Sequence, residues 1–151
     1  MAEAQKRVDE LIARLRASGH RATPQRVAVL RLLVTSDRHP SVERVYEQMR
    51  AQFPTTSLST VYKTVTLLKE MGEVLELGFA DGSSRYDGNR PYPHPHLVCT
   101  RCGGICDLTA PGLEDAVQRV VVEVAHQIVG HRLDFYTVCA DCQSSRPPAA
   151  D

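Results

Sequence analysis

Apolar residues first recur with the period of a helix. Val8, Leu11, Ile12 and Leu15 stand at i, i+3, i+4 and i+7 within residues 2–17, and Gly19 stops the run. Thr23-Pro24 offers an N-cap and a first-turn proline, followed by a stripe of Val27, Leu30, Leu33 and Val34. Ser41 caps a third stretch with Val42, Val45, Tyr46 and Met49 on one face. After Pro54, the stripe Leu58, Val61, Val65 and Leu68 ends at Gly72. The period then shortens. Glu73–Phe79 and Ser83–Tyr86 read as strands joined across Ala80-Asp81-Gly82. Past a stretch dense in Gly and Pro at 88–93, Leu97–Cys99 and Ile105–Leu108 read as strands. Pro111-Gly112 opens a helix predicted to run to about Val129, and Leu133–Val138 alternates as a third strand.

This order predicts an α+β chain. Three helices and a hairpin after a basic leading helix describe an N-terminal winged helix-turn-helix. A small α/β dimerisation domain with a four-cysteine zinc site should follow. The expected division is a DNA-binding domain over 1–88, a hinge over 89–93, a metal-binding dimerisation domain over 94–143 and a disordered tail over 144–151. The rear domain is too small for a large core, so support from a metal and from a second copy is expected.

Charge sharpens the division. The net charge of the 151 residues is zero, but residues 1–72 hold 12 Lys/Arg against 7 Asp/Glu, and residues 91–151 hold 4 against 7. A basic front and an acidic, Cys- and His-bearing rear imply divided labour. No apolar run approaches the roughly 18 residues of a membrane span. The charged stretch Glu3–Glu10 is unlike a secretory signal, so a reducing cytoplasm is expected, where paired CxxC motifs read as metal sites or catalysis.

The chemistry concentrates in His94-Pro95-His96-Leu97-Val98-Cys99-Thr100-Arg101-Cys102, with a second CxxC at Cys139-Ala140-Asp141-Cys142. Cys99, Cys102, Cys139 and Cys142 match a tetrahedral thiolate zinc site, each pair giving two sulfurs from one tight turn. His94 and His96 are two apart in an extended segment, so both imidazoles face the same way, the geometry for a separate metal. A solvated loop is the alternative. Cys106 lies outside both pairs and reads as a buried packing thiol on the strand face opposite Asp107. His20 and His126 read as surface residues. On the fourth helix Ser59 and Lys63 point away from the apolar stripe, flanked by Thr60 and Tyr62. Such a hydroxyl-rich face suits phosphate oxygens and base edges, with a plain polar surface as the alternative.

With these motifs in view, the chain from about Leu11 to Cys142 resembles the ferric uptake regulator family of bacterial metal-dependent repressors. The resemblance rests on Thr23-Pro24-Gln25-Arg26, Ser59-Thr60-Val61-Tyr62, Ser84-Arg85-Tyr86-Asp87, the His-x-His-x-x-Cys-x-x-Cys block and the final CxxC. It implies structural zinc at the four paired cysteines. It further implies a regulatory Fe2+ or Mn2+ at His39, Asp87, His94, His96 and Asp107, a set whose mixed N/O donors do not choose among Fe2+, Mn2+ and Zn2+. Two of these lie in the front domain and three in the rear, so one ion would lock the domains and couple metal to DNA affinity. The recognition helix matches Ser57–Lys69, with Tyr62 against a thymine methyl and Arg21 reaching toward the minor groove. The implied partners are a palindromic double-stranded operator and a second copy of the chain.

Within the family, aspartate at 107 resembles the peroxide-sensing branch, since iron and zinc regulators more often carry glutamate there. A further family site would need ligands at 93, 95, 114 and 131. Pro93 and Pro95 cannot serve, which leaves Glu114 and His131 as an incomplete remnant of that site and also fits a peroxide sensor. For His131 alone a polar surface or interface role is the plainer reading. The peroxide reading implies that bound Fe2+ reduces H2O2, that an oxidant attacks His39 or His94, and that DNA is then released. An iron- or zinc-uptake repressor with reversible sensing is the runner-up. A thioredoxin-like enzyme needs one CxxC near a βαβ pattern, which is not the order here. A zinc-ribbon adaptor leaves His39, Asp87 and the hydroxyl-rich helix unexplained. The expectation is a regulator and no enzyme.

Overall fold

Two compact units divide the chain, Met1–Tyr92 and Pro93–Asp151. The computed structural model describes residues 2–144. The tail expected over 144–151 therefore lies outside the described residues, except Ser144 at the end of the last helix.

The front unit runs α1 (Ala2–Ala17), α2 (Pro24–Thr35), α3 (Val42–Met49), α4 (Leu58–Glu70), β1 (Leu75–Gly78) and β2 (Ser84–Asp87). Side-chain caps start three of its helices. Thr23 Oγ1 accepts from Arg26 N at 3.3 Å, Ser41 Oγ from Arg44 N at 3.2 Å and Ser57 Oγ from Thr60 N at 3.2 Å, each satisfying an orphan amide. Glycines stop two. Gly19 (φ 80) and Gly72 (φ 69) take the left-handed conformation. Their amides reach back three residues, and those of His20 and Glu73 reach back five, to Leu15 O and Leu68 O, which is the Schellman closure.

All four helices turn one face inward. Val8, Leu11 and Leu15 of α1 meet Val29, Leu30, Leu33 and Val34 of α2, Val42, Val45 and Met49 of α3, and Val61, Val65 and Leu68 of α4 in one buried cluster with Val74 and Tyr86. The α2 stripe is shifted from the expected one. Val29 is buried and Val27 only half-buried, because Leu30, Leu33 and Val34 serve either face and the packing against α1 selects it. Leu58 and Tyr46 likewise sit at the margin, whereas Thr64 is buried and donates its hydroxyl to Thr60 O at 2.9 Å.

β1 and β2 form an antiparallel ribbon from Leu75↔Asp87 to Gly78↔Ser84. Its turn is closed by Asp81, whose Oδ1 accepts from Ser83 N at 2.9 Å and Ser83 Oγ at 2.7 Å. Buried Glu73 anchors the ribbon to α1. It pairs with Arg7 at 3.2 Å and Arg14 at 2.6 Å, and Arg7 also donates to Glu73 O at 3.1 Å and Gly88 O at 3.3 Å. Gly88 passes so close to α2 that an added Cβ would lie 2.8 Å from Leu33 Cβ.

The rear unit holds β3 (Pro95–Cys99), β4 (Ile105–Asp107), α5 (Pro111–Glu123), β5 (Leu133–Thr137) and α6 (Ala140–Ser144). Its sheet has the order β4-β3-β5, with β3 antiparallel to β4 and parallel to β5. Two expectations change here. Helix α5 ends at Glu123, not near Val129: it starts without a side-chain cap, and its last turns are a β-branched valine run before Val124 goes extended. Cys106 is exposed, not a core thiol. Alternation does set it opposite Asp107, but the covered face is the one carrying Val98, Ile105 and His96. The core is thin, and Val120, Val122, Phe135 and Tyr136 stay exposed.

Candidate metal centres

The two CxxC pairs meet at the end of β3. The four Sγ atoms of Cys99, Cys102, Cys139 and Cys142 lie within 4.8 Å of one another. Cys102 and Cys139 are 3.8 Å apart, which is the edge of a sulfur tetrahedron with Zn–S near about 2.3 Å. Gly103 (φ 66) makes the first knuckle possible, with Gly103 N bonded to Cys99 O at 3.0 Å and Cys99 N to Gly104 O at 2.9 Å. Arg101 Nη1 donates to Cys142 O at 2.8 Å and ties the knuckles together. Backbone amides of Cys102, Cys139 and Arg101 pull the Cys99 thiol down to about 6, ready to be a thiolate. Hydrogen bonding to Cys139 and burial push Cys142 up to about 12. Four thiols crowded together give up their protons most readily to a cation, and the set fits structural zinc.

A second donor set lies at the other end of β3. His94, His96 and Asp107 bring ligand atoms within 4.8 Å of one another. The imidazole rings are 4.3 Å apart between centroids, and His94 Nε2 is 3.0 Å from Asp107 Oδ1. Both histidines are buried. Register explains the meeting: His96 is the cross-strand partner of Asp107, so the two side chains leave the sheet on one face. Two imidazoles and a carboxylate fit a borderline divalent cation such as Fe2+, Mn2+ or Zn2+.

His39 and Asp87 belong to the front unit, and both are buried. His39 has φ 40, the one positive φ outside glycine among the described residues. Such backbone is costly and collects at functional positions. Asp87 closes β2, and its Oδ1 accepts from Asn89 N at 2.7 Å and Arg90 N at 3.1 Å. Glu114 and His131 are exposed and in neither donor cluster.

Ser59, Thr60, Tyr62 and Lys63 are exposed on α4. Arg21 and Thr60 line one cleft of about 530 Å³ with His20, Gln25 and Arg26. Two residues escape a reading of the sequence alone. Glu43 of α3 accepts a hydrogen bond from the Tyr62 hydroxyl, which holds the Glu43 carboxyl below and the Tyr62 phenol above their ordinary ranges. Asp134 of β5 stands beside His96. It meets His96 through the parallel register of β3 and β5, which no local pattern in the sequence reports.

The model of the ferric uptake regulator family matches residues 17–136. Peroxide-responsive repressors PerR of Staphylococcus epidermidis and Staphylococcus aureus are 37% and 38% identical over 136 residues, covering 90% of this chain and 90% and 91% of theirs. A zinc-bound manganese uptake regulator superposes with a TM-score of 0.69 at 33% identity, over 87% of this chain and 98% of its own. The Helicobacter pylori ferric uptake regulator superposes with a TM-score of 0.75 at 24% identity, over 95% and 96%, which speaks for the fold. Among the described residues no helix is long and apolar enough to cross a membrane. With a family model spanning most of the chain and relatives of this identity along nearly its whole length, the chain belongs to the ferric uptake regulator family.

Proposed function

We propose that the chain is a cytoplasmic, homodimeric DNA-binding repressor whose regulatory metal makes it a peroxide sensor. The observation that carries this reading is the convergence of His94 and His96 on an aspartate, Asp107, in a chain whose relatives include peroxide-responsive repressors. The proposed ligand set is His94, His96 and Asp107 with His39 and Asp87 of the front unit. Glu114 and His131 are left out of it. Sharing one ion between residues of both units would make DNA affinity depend on metal occupancy. The exposed, hydroxyl-rich face of α4, with Ser59, Thr60, Tyr62 and Lys63, would read a palindromic operator in the major groove, and Arg21 would approach the minor groove. The exposed apolar side chains of the rear unit support pairing with a second copy.

When bound, Fe2+ supplies the electron that turns H2O2 into a local oxidant. The chain's part is to place the targets. The His94 ring adjoins Asp107, and oxidation of His94 or His39 would remove a nitrogen donor, weaken metal binding and release DNA. Aspartate at 107 has a shorter reach than glutamate and crowds the ion less. The four paired cysteines, committed to zinc, are shielded from oxidation. The output is DNA occupancy, so this is a regulator and not an enzyme.

The test compares the Fe2+ and Mn2+ forms on operator DNA before and after H2O2. The Fe2+ form should lose binding and gain one oxygen on the peptide carrying His39 or His94, while the Mn2+ form resists. The similarity to a manganese uptake regulator favours a second reading, a metal-uptake repressor with reversible sensing. Equal peroxide response of both forms with unmodified histidines would select it.

A further inference from the structure

His96 sits on the central strand of the rear sheet with a carboxylate residue opposite it on both sides. Asp107 is its partner in antiparallel β4, and Asp134 is its partner in parallel β5. The three side chains therefore form a row across one face of the sheet. Asp107 belongs to the donor cluster with His94 and His96, whereas Asp134 does not. Asp134 instead lies behind the ring. Its Oδ1 is 3.7 Å from His96 Nδ1, and both atoms are sealed from solvent. Its Oδ2 is 2.6 Å from Arg132 Nη2.

An imidazole that gives one nitrogen to a metal carries its proton on the other. That N–H needs an acceptor when it is buried. A carboxylate is the strongest acceptor available, but a buried one is stable only when its charge is paired. Arg132 supplies the pairing at Oδ2, which leaves Oδ1 to face the ring. The separation of 3.7 Å is longer than the usual hydrogen bond of about 2.7–3.2 Å, so the pair stands in place but is not yet bonded. Such bonds at functional sites commonly tighten only in the loaded state.

We infer that Asp134 is a positioning residue for the regulatory metal: its Oδ1 accepts from the His96 Nδ1–H, fixes the ring's tautomer and direction, and leaves Nε2 to ligate, with Arg132 paired to its other oxygen. This rests on the regulatory site proposed above. The arrangement is a relay of three groups, guanidinium to carboxylate to imidazole, entirely within the rear unit.

The experiment uses the full-length, zinc-loaded protein and titrates Mn2+ against a chelating indicator. Co2+ serves as a spectroscopic probe of the same site. Asp134→Asn keeps the shape and loses the charge. It should weaken Mn2+ binding by about 10- to 100-fold, the usual effect of losing an outer partner of a ligating histidine. It should also move the Co2+ absorption bands while one zinc per chain and the circular dichroism stay unchanged. Asp134→Glu should recover part of the affinity. His96→Ala is run beside them. If His96→Ala loses Mn2+ but Asp134→Asn keeps wild-type affinity and bands, the positioning role is overturned and the site stands. If His96→Ala also binds as wild type, the site itself is misplaced and the positioning role falls with it. A loss in Asp134→Asn that is accompanied by zinc loss, or that glutamate does not reverse, marks a merely structural aspartate and overturns the inference as well.

Discussion

The Tyr62 hydroxyl of α4 is bonded to the Glu43 carboxylate of α3, so the aromatic ring proposed to meet a base is held at its far end by the neighbouring helix. The two functions of the ring separate in a pair of variants. Tyr62→Ala should lose roughly 1–3 kcal/mol at one base pair of the operator, the scale of a base contact. Tyr62→Phe keeps the apolar ring face and loses only the latch, so it should retain most of that discrimination. Quantitative binding to operators changed one base pair at a time distinguishes the two. Equal losses in both variants would mean that the hydroxyl, not the ring, is what DNA reads.

Removal of one thiolate tests the zinc cluster. Cys99→Ser should abolish zinc retention and unfold the rear unit, because a site of this kind contributes on the order of 10–16 kcal/mol in small peptides and the apolar core around it is thin. Cys106→Ser, at an exposed position, should retain one zinc per chain and the wild-type melting curve. Elemental analysis with a thermal melt reads both, and a strong chelator should reproduce the Cys99→Ser spectrum in the wild-type chain.

The buried Glu73 carboxylate faces Arg7, itself only 13% exposed, and Arg14, which is 59% exposed. Glu73→Ala leaves the Arg7 charge without its counter-charge in a part-buried place, and should cost about 3 kcal/mol in urea unfolding of the front unit. Arg14→Ala should cost far less, since solvent already screens that pair. A Glu73→Ala midpoint close to wild type would show that backbone oxygens alone suffice for Arg7.

His39 tests backbone and chemistry separately. Its left-handed backbone is tolerated by Asn and resisted by β-branched residues. His39→Asn should therefore melt within a degree or two of wild type yet bind Mn2+ weakly. His39→Val should lose about 1–2 kcal/mol of stability as well. Matching stability of the two variants would remove the strain argument.

These expectations trace back to features of unequal visibility in the sequence. The caps at Thr23, Ser41 and Ser57 and the stops at Gly19 and Gly72 were legible because each acts on amides within a turn of itself. The cysteine tetrad was legible because spacing alone brings each pair to one knuckle. Cys106 shows where pattern ends: alternation separates two faces of a strand but does not say which is covered, and that depends on what lies above the sheet. Asp134 is harder still. It meets His96 only because β3 and β5 pair in parallel across a long connection that includes β4 and α5. No local period reports such a pairing. The end of α5 departs from the pattern for the opposite reason: its apolar period continues past Glu123, but β-branched valines and the lack of a cap leave the helix too weak to follow it.

The β1–β2 ribbon puts Asp87 and the Asp81 turn on a single mechanical part. Asp87 pairs with Leu75 at the base and Ser84 pairs with Gly78 beside the turn. Three residue steps of extended strand, about 10 Å, separate the two ends. Arg7, bonded to both Glu73 O and Gly88 O, pins the ribbon at its base. Tyr86, next to Asp87 on β2, is buried in the helical cluster, and its amide donates to Pro40 O at 3.1 Å, one residue past His39. A tug on the Asp87 carboxylate is therefore felt by the helical core and by the backbone beside His39 together, which ties the two front-unit positions into one piece.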